Sequence, residues 1–174
     1  MRTLITVTYL QMTDRDALTD ETLEKPYMLT RAKRASAPFS RFLYASVGAQ
    51  WTWYMRRQWT EKQWVRHVQR AQLETWVAYV DGTPCGYFEL EHHRDRSVEI
   101  ALFGLLPDFI GNGLGKGLLQ DALTRAWKSA ERVWLHTCSL DHPQALPNYL
   151  ARGMRVYRKE QVWDDLPDEP LQSW

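Results

Sequence analysis

The chain has 174 residues, room for one compact domain with a core and not comfortably for two, so residues 1–174 are read as a single unit. Charged residues make up 25% and the formal net charge is +1, which excludes a general electrostatic attraction to nucleic acid or to an anionic membrane; any anion has to be bound locally. No stretch approaches the roughly 18 apolar residues of a membrane span, the alternating Thr3 to Tyr9 does not follow a secretory pattern, and Cys85 and Cys138 lie in apolar contexts that suit reduced thiols, so a soluble, cytoplasmic protein is expected.

Ile5, Val7 and Tyr9 alternate with Thr6 and Thr8 and predict an opening strand. Thr13 or Asp14 can cap a following helix, whereas Lys25 to Gln50, with Pro26 and Pro38 and no clean period, predicts no definite element. Thr60 and Gln63 form a capping box, and Trp64, Val65, Val68 and Ala71 continue at helical spacing, so a helix is expected from Thr60 to Leu73. Strands follow at Trp76 to Val80, Gly86 to His92 and Ser97 to Leu105, the first two joined by Asp81-Gly82, which tolerates the positive φ of a tight hairpin. From Leu114, residues Leu118, Leu119, Ala122, Leu123, Ala126 and Trp127 share one face of a long helix. Val133 to Cys138 reads as a strand, Gln144 to Arg152 as a short helix stopped by Gly153, and Met154 to Trp163 as a last strand. The acidic residues 164–174, with two prolines, are expected to be poorly ordered or to lie across the surface. Nine tryptophans are many for this length, and Trp51, Trp53, Trp59, Trp64 and Trp76 crowd into one region, where they can fill core or wall a site.

The segment Ile110-Gly111-Asn112-Gly113-Leu114-Gly115-Lys116-Gly117 lies between a strand and the strongest helix, with four glycines in seven residues. Each would cost a helix about 1 kcal/mol relative to alanine, so a compensating use is expected. A helix start offers unpaired N–H groups and a partial positive charge, and a glycine-rich approach lets them converge on phosphate oxygens. A Walker loop fails, because Gly115-Lys116 is followed by Gly117 and Ile110 takes the place of the first glycine; a dinucleotide fingerprint fails because the sixth position is Lys116 or Leu118.

The segment resembles the Gln/Arg-x-x-Gly-x-Gly/Ala signature of the GNAT-type (Gcn5-related) N-acetyltransferases, with Ile110 in the polar place and Gly113 and Gly115 in the small ones. In that family the loop follows the fourth strand and opens the third helix, a fifth strand splays away, and a short helix ends in Tyr-x-x-x-Gly-Phe; Tyr149-Leu150-Ala151-Arg152-Gly153-Met154 is similar to that ending. The resemblance covers residues 76–157, the acetyl-CoA-binding core, and implies an α/β (α+β) GNAT fold: a mixed, mostly antiparallel sheet of six to seven strands, splayed between strands 4 and 5 and flanked by about four helices. It also implies acetyl-CoA as co-substrate, held by Ile110, Gly111, Asn112, Gly113, Leu114, Gly115 and Lys116 at the diphosphate and by the backbone of Phe103, Gly104 and Leu105 along the pantetheine arm. A bulge near Gly104 would expose those groups. His142 stands where many members carry Asn, and Asn148 can substitute for it.

Moving acetyl from a thioester to an amine needs a base, an oxyanion donor and an acid for the departing thiolate. Glu99, eleven residues before Ile110, resembles the family's catalytic glutamate. On strand alternation it shares a face with Ala101 and Phe103, and Glu89 and Glu91 on the neighbouring strand are reserve bases; a solvated or ion-paired strand glutamate is the plain alternative. Tyr149 matches the general acid, its ordinary pKa of about 10 keeping it protonated at neutral pH, and the N–H of Leu105 can meet the oxyanion. No histidine and cysteine spacing forms a metal site, and no Gly-x-Ser-x-Gly elbow supports a hydrolase. The expectation is acetyl transfer to a primary amine of a small molecule or protein by direct attack in a ternary complex. The alternative is a catalytically silent acetyl-CoA-binding sensor or interaction module of the same fold. The amine is not specified by the sequence, though the tryptophan cluster hints at an aromatic acceptor or a cation-π contact, and a homodimer is compatible with the family.

Overall fold

The structure, a computed structural model, describes residues 1–19 and 21–172. Its strands are β1 (Arg2–Met12), β2 (Met28–Arg31), β3 (Leu73–Val80), β4 (Thr83–His92), β5 (Ser97–Leu105), β6 (Arg132–Cys138) and β7 (Arg155–Asp165), forming a seven-stranded sheet in the order β2-β3-β4-β5-β6-β1-β7. Only β5 and β6 run parallel; every other neighbouring pair is antiparallel. The helices are α1 (Ala37–Gly48), α2 (Glu61–Val68), α3 (Leu114–Ala126) and α4 (Ala145–Ala151). This is the α/β GNAT architecture, and the strands that part are the two expected, Ser97–Leu105 and the strand ending at Cys138; the additional short strand β2 makes them β5 and β6 in chain order.

Alternation along β4 assigns the two faces. Phe88 and Leu90 pack with the buried Leu118, Leu119, Ala122 and Leu123 of α3, and with Leu10, Ile100 and Leu135 of the sheet. Each such aliphatic side chain contributes roughly 1.5–3 kcal/mol on burial. Tyr87 and Val77 point the other way, onto Leu43 and Val47 of α1, while Tyr44 and Trp64 join α1 to α2.

Several local expectations need correction. The helix opened by the Thr60 capping box stops at Val68, with Gln69 at its C-cap. Ala71 is exposed, and Leu73 instead begins β3 opposite Glu91, because pairing with β4 buries its side chain where another helical turn would not. Thr13 and Asp14 start only a 3-10 turn at Arg15–Ala17, capped by the Asp14 carboxylate. The undefined stretch contains β2 and all of α1; Ser36 accepts the Phe39 N–H, and Pro38 sits in the first helical turn, where no donor is required of it. The acidic tail begins later than expected, since Asp164 and Asp165 still pair with Thr3 and Arg2. Beyond them the Leu166 N–H donates to Met1 O at 3.0 Å and Asp168 meets the Met1 amino group at 2.7 Å, so the tail lies along the surface; Ser173 and Trp174 are outside the described residues. Asp81 and Gly82 turn the β3–β4 hairpin with φ of 49° and 83°, as expected. Among the described residues no helix is long and apolar enough to cross a membrane.

Candidate active site

The site begins with a strand pair that stops pairing. β5 and β6 are in register only at Ser97–Arg132, Val98–Val133 and Glu99–Trp134; beyond Glu99 they part, leaving the β6-facing edge of β5 without a strand neighbour. A cleft of about 1090 Å³ fills the gap and opens along Ile100–Leu105 on one side and Leu135–Cys138 on the other. At its far end the chain leaves β5 through a Pro107–Phe109 turn and enters α3.

The Ile110 N–H is tied to Pro107 O at 3.2 Å, so the sequence expectation that this amide serves an anion is not met. From Gly111 through Lys116, however, the N–H groups have no acceptor among the described residues. Gly111 and Gly113 have φ of 89° and 76°, and a Cβ at either would meet nothing within 4 Å, so glycine is needed there for backbone conformation rather than for space. The left-handed turns present consecutive amides and the start of a thirteen-residue helix to one spot, with Lys116 beside it on the cleft wall. Ile110, Gly111, Gly113, Gly115 and Lys116 line the cleft, as do Phe103, Gly104 and Leu105; Asn112 is exposed outside it, and the Leu114 side chain is buried in the core.

Helix α4 supplies the opposite wall. The Asn148 Nδ2 donates to Gly115 O at 3.2 Å, pinning α4 to the first turn of α3, while its Oδ1 is buried without a partner among the described residues. Asn148 itself lines the cleft. Tyr149 is 6% exposed, its ring set edge-on to Phe103 at 6.3 Å, and its hydroxyl has no hydrogen-bond partner among the described residues. Burial raises its pKa well above the ordinary tyrosine value, so the phenol stays protonated throughout the physiological range. His142, in the loop before α4, has its Nδ1 occupied by the Gln144 N–H at 3.0 Å and its ring against Trp51.

Glu99 stands at the apex where the strands part. The β4–β5 register shifts there, Glu89 facing Leu102 and Leu90 facing Ile100, so Ala101 is the extra residue of a bulge. This corrects two expectations: the bulge lies at Ala101 rather than near Gly104, and Glu99 shares its face with Leu102 and Gly104, not with Ala101 and Phe103. The face is the one covered by α1 and α2. The Glu99 carboxylate lines the cleft with Oε2 3.0 Å from His93 Nε2 and Oε1 3.8 Å from His136 Nδ1. Neither histidine is apparent as a neighbour from the sequence; His93 follows from the β4–β5 hairpin turn, His136 only from the parallel register with β6.

The reserve bases are both committed elsewhere. Glu91 reaches the cleft but is gripped by Arg70 through two bonds of 2.6 Å. Glu89, 1% exposed, lies outside the cleft and takes Arg56 Nη1 at 3.0 Å and His67 Nε2 at 3.3 Å. His67 Nε2 also lies 3.0 Å from Arg56 Nη1 and its Nδ1 3.2 Å from Arg70 Nη2, so the imidazole stands between two guanidinium groups and the Glu89 carboxylate. Burial alone would push the Glu89 carboxyl up, but the His67 hydrogen bond and the Arg56 charge outweigh it and hold the group below the usual glutamate value. Of the crowded tryptophans, Trp64 is core, whereas Trp51 and Trp53 line the cleft. Among the described residues no three His, Cys, Asp or Glu side chains are grouped to hold a metal.

A strand pair parted around a cleft, followed by a glycine-turned helix start, is the arrangement of an acyl-CoA-type acetyltransferase fold. Residues 35–154 match the model of the acetyltransferase (GNAT) family, and the chain belongs to that family. Solved structures with the same fold include a GCN5-related N-acetyltransferase from Kribbella flavida, 16% identical, TM-score 0.64, over 93% of this chain and 58% of that one. Another, from Sphaerobacter thermophilus, is 15% identical with TM-score 0.63, over 92% of this chain and 50% of that one. The chain therefore spans about half to three fifths of the length of those two. An aminoglycoside acetyltransferase from an uncultured soil metagenomic sample, crystallised with trehalose, is 13% identical with TM-score 0.57, over 73% of this chain and 87% of that one. No curated protein matches the sequence.

Proposed function

We propose that the protein is an N-acetyltransferase that passes the acetyl group of acetyl-CoA to a primary amine by direct attack within a ternary complex. The observation that carries this reading is the run of unpaired N–H groups from Gly111 to Lys116 at the mouth of a parted strand pair. The residues present fit the co-substrate. The amides and Lys116 take the diphosphate; the unpaired edge of β5 at Phe103, Gly104 and Leu105 pairs with the pantetheine amides as an added strand; and Asn148 flanks the pantetheine arm from the α4 wall. Acetyl-CoA supplies the activated acyl group.

The remaining work belongs to side chains. Glu99, directly or through one water, accepts a proton from the ammonium so that the nitrogen lone pair is free. As the N–C bond forms and the C–S bond breaks, the Leu105 N–H stabilises the negative charge on the acetyl oxygen, and the Tyr149 hydroxyl donates its proton to the sulfur. The nitrogen loses two protons in all: one replaces that given up by Tyr149, the other leaves for solvent from Glu99. His93, hydrogen-bonded to Glu99 and 37% exposed at the side chain, stands between that carboxylate and water.

Calorimetry with coenzyme A, followed by thiol-release assays over a panel of primary amines, tests the reading. Binding should appear with the native chain, and Glu99→Gln should lower kcat by roughly 10²–10⁴-fold without changing coenzyme A affinity. Absence of coenzyme A binding would defeat the proposal; binding with no turnover on any amine would point to a silent sensor.

A further inference from the structure

A second recess, of about 510 Å³, lies where the chain leaving β2 passes the start of α1 and the end of α2. We propose that it binds a small phosphomonoester, at a site separate from the amides that open α3. Arg31, Lys33 and Arg34 line it from the chain around the end of β2, Ser36 and Ser40 from α1 and its cap, and Thr75 from β3; among the described residues that line it none is acidic. Two of its cations are already matched, Arg31 by Glu74 at 3.7 Å and Arg70 by Glu91 at 2.6 Å. Lys33 and Arg34 have no ion pair among the described residues, which leaves two uncompensated positive charges. Glu89, the cross-strand neighbour of Thr75, is paired with Arg56 and does not offset them.

Two buried hydroxyls distinguish this recess from a solvated basic turn. Ser40 and Thr75, 5% and 8% exposed, both line it, and neither hydroxyl has a hydrogen-bond partner among the described residues. A buried hydroxyl without a partner costs free energy that a bound acceptor oxygen restores. The N–H groups of Arg34, Ala35, Ser36 and Ala37 also have no acceptor among the described residues, and Ala37 opens the twelve-residue α1, whose positive end lies at the same turn. The Phe39 N–H is already taken by the Ser36 hydroxyl, so α1 adds the Ala37 amide rather than a full set of donors. Hydroxyls, amides and two unmatched cations, with no carboxylate among them, suit the oxygens and the double charge of a phosphate group. Phe39, Val68 and Leu73 line the same recess and give the body of an ester an apolar seat. Arg70 lines both this recess and the cleft, so the bound phosphomonoester would sit behind the Arg70–Glu91 pair of the cleft wall.

The test is an amide NMR titration of the full chain at constant ionic strength, with inorganic phosphate and phenyl phosphate as probes. Both should shift the amides of Ser36, Ala37, Ser40 and Thr75, and phenyl phosphate should bind at least about threefold more tightly through partial burial of its ring. Lys33→Ala combined with Arg34→Ala, two exposed positions that folding does not need, should weaken both probes at least about tenfold, as for loss of charged hydrogen-bond donors. Thr75→Val keeps the shape, removes the hydroxyl, and should weaken them at least about threefold without lowering Tm. Phosphate taken up at the start of α3 is read separately, at the amides of residues 111–116, and Lys116→Ala should leave the shifts at Ser36 to Ser40 unchanged. Shifts confined to residues 111–116, no shift at millimolar phosphate, or binding by the Lys33 and Arg34 double variant within about twofold of the native chain overturns the inference. Equal affinity for the two probes overturns the ester and leaves a site for free phosphate. None of these readouts involves coenzyme A, so the inference stands or falls apart from the acetyltransferase reading.

Discussion

At the level of single residues, Tyr149 and Asn148 are neighbours with different duties. The Asn148 amide spends its NH₂ on Gly115 O and keeps its oxygen unpaired. Tyr149 spends nothing: its ring packs on Phe103, and its hydroxyl makes no bond that folding would miss. Removing that oxygen is therefore expected to be quiet in stability and loud in chemistry. Tyr149→Phe should change stability by less than about 0.5 kcal/mol, keep the KM for acetyl-CoA, and lower kcat by roughly 10²–10⁴-fold, as for loss of a general acid. Steady-state kinetics alongside thermal unfolding separates the two; an unchanged kcat would remove Tyr149 from the chemistry. Motif spacing pointed to this tyrosine, and the structure places it on the cleft wall. The environment of Glu99 was not legible, because its partners His93 and His136 come from a turn and from a strand brought alongside by a parallel crossover.

At the level of elements, the chain's own periodicities specified β5 and α3 nearly to the residue and the end of β4, which begins at Thr83 rather than Gly86, since apolar alternation and a helical stripe both reflect burial against one core. They failed where tertiary pairing overrides local pattern. The α2 stripe runs on past Val68, but Leu73 gains more from β4 than from another turn, and a one-residue bulge at Ala101 reverses the alternation that had placed Glu99 beside Phe103. α1 stayed hidden because Pro38, read as a breaker, stands where a helix tolerates it. The glycine turn was legible because its composition makes sense only in unusual backbone. That dependence can be measured. With φ at 76° and open space around it, Gly113→Val places a β-branched residue in the left-handed region without a clash, a backbone cost of about 1–2 kcal/mol. Either the turn holds and the cost falls on stability, or it relaxes and the converging amides disperse. We expect the second, seen by calorimetry as at least a roughly tenfold weaker affinity for coenzyme A, one decade per 1.4 kcal/mol; affinity kept within twofold with no matching loss of thermal stability would show that these amides do not bind the diphosphate.

For the whole molecule, β1 lies between β6 and β7, so the first strand of the chain is held by two of its last, while the other half of the sheet is closed by α1 and α2. The closure on that second side passes through a charge cluster: Arg56 from the loop between α1 and α2, His67 from α2, Arg70 from the turn after it, Glu89 and Glu91 from β4. Glu89 is its centre, fully buried and bonded to both Arg56 and His67, and its folded-state pKa lies below the ordinary value. Folding therefore favours the ionised form. The resulting stabilisation is fully present above about pH 4.3, where the unfolded carboxyl titrates, and is lost as pH falls through the lower folded value. Glu89→Gln leaves Arg56 buried opposite a neutral amide. It should cost about 3 kcal/mol near neutrality, the lower end for breaking a buried pair, or roughly 6–12 °C in Tm for a chain of this size. Because the native carboxylate is itself neutralised in acid, the gap between native and variant Tm should narrow as pH is lowered from 6 toward 3. Thermal unfolding across that range decides the point: a gap that stays constant with pH would mean that Glu89 supports α2 through shape and hydrogen bonding alone, and that the charge of the cluster contributes nothing to holding the acceptor wall against the sheet.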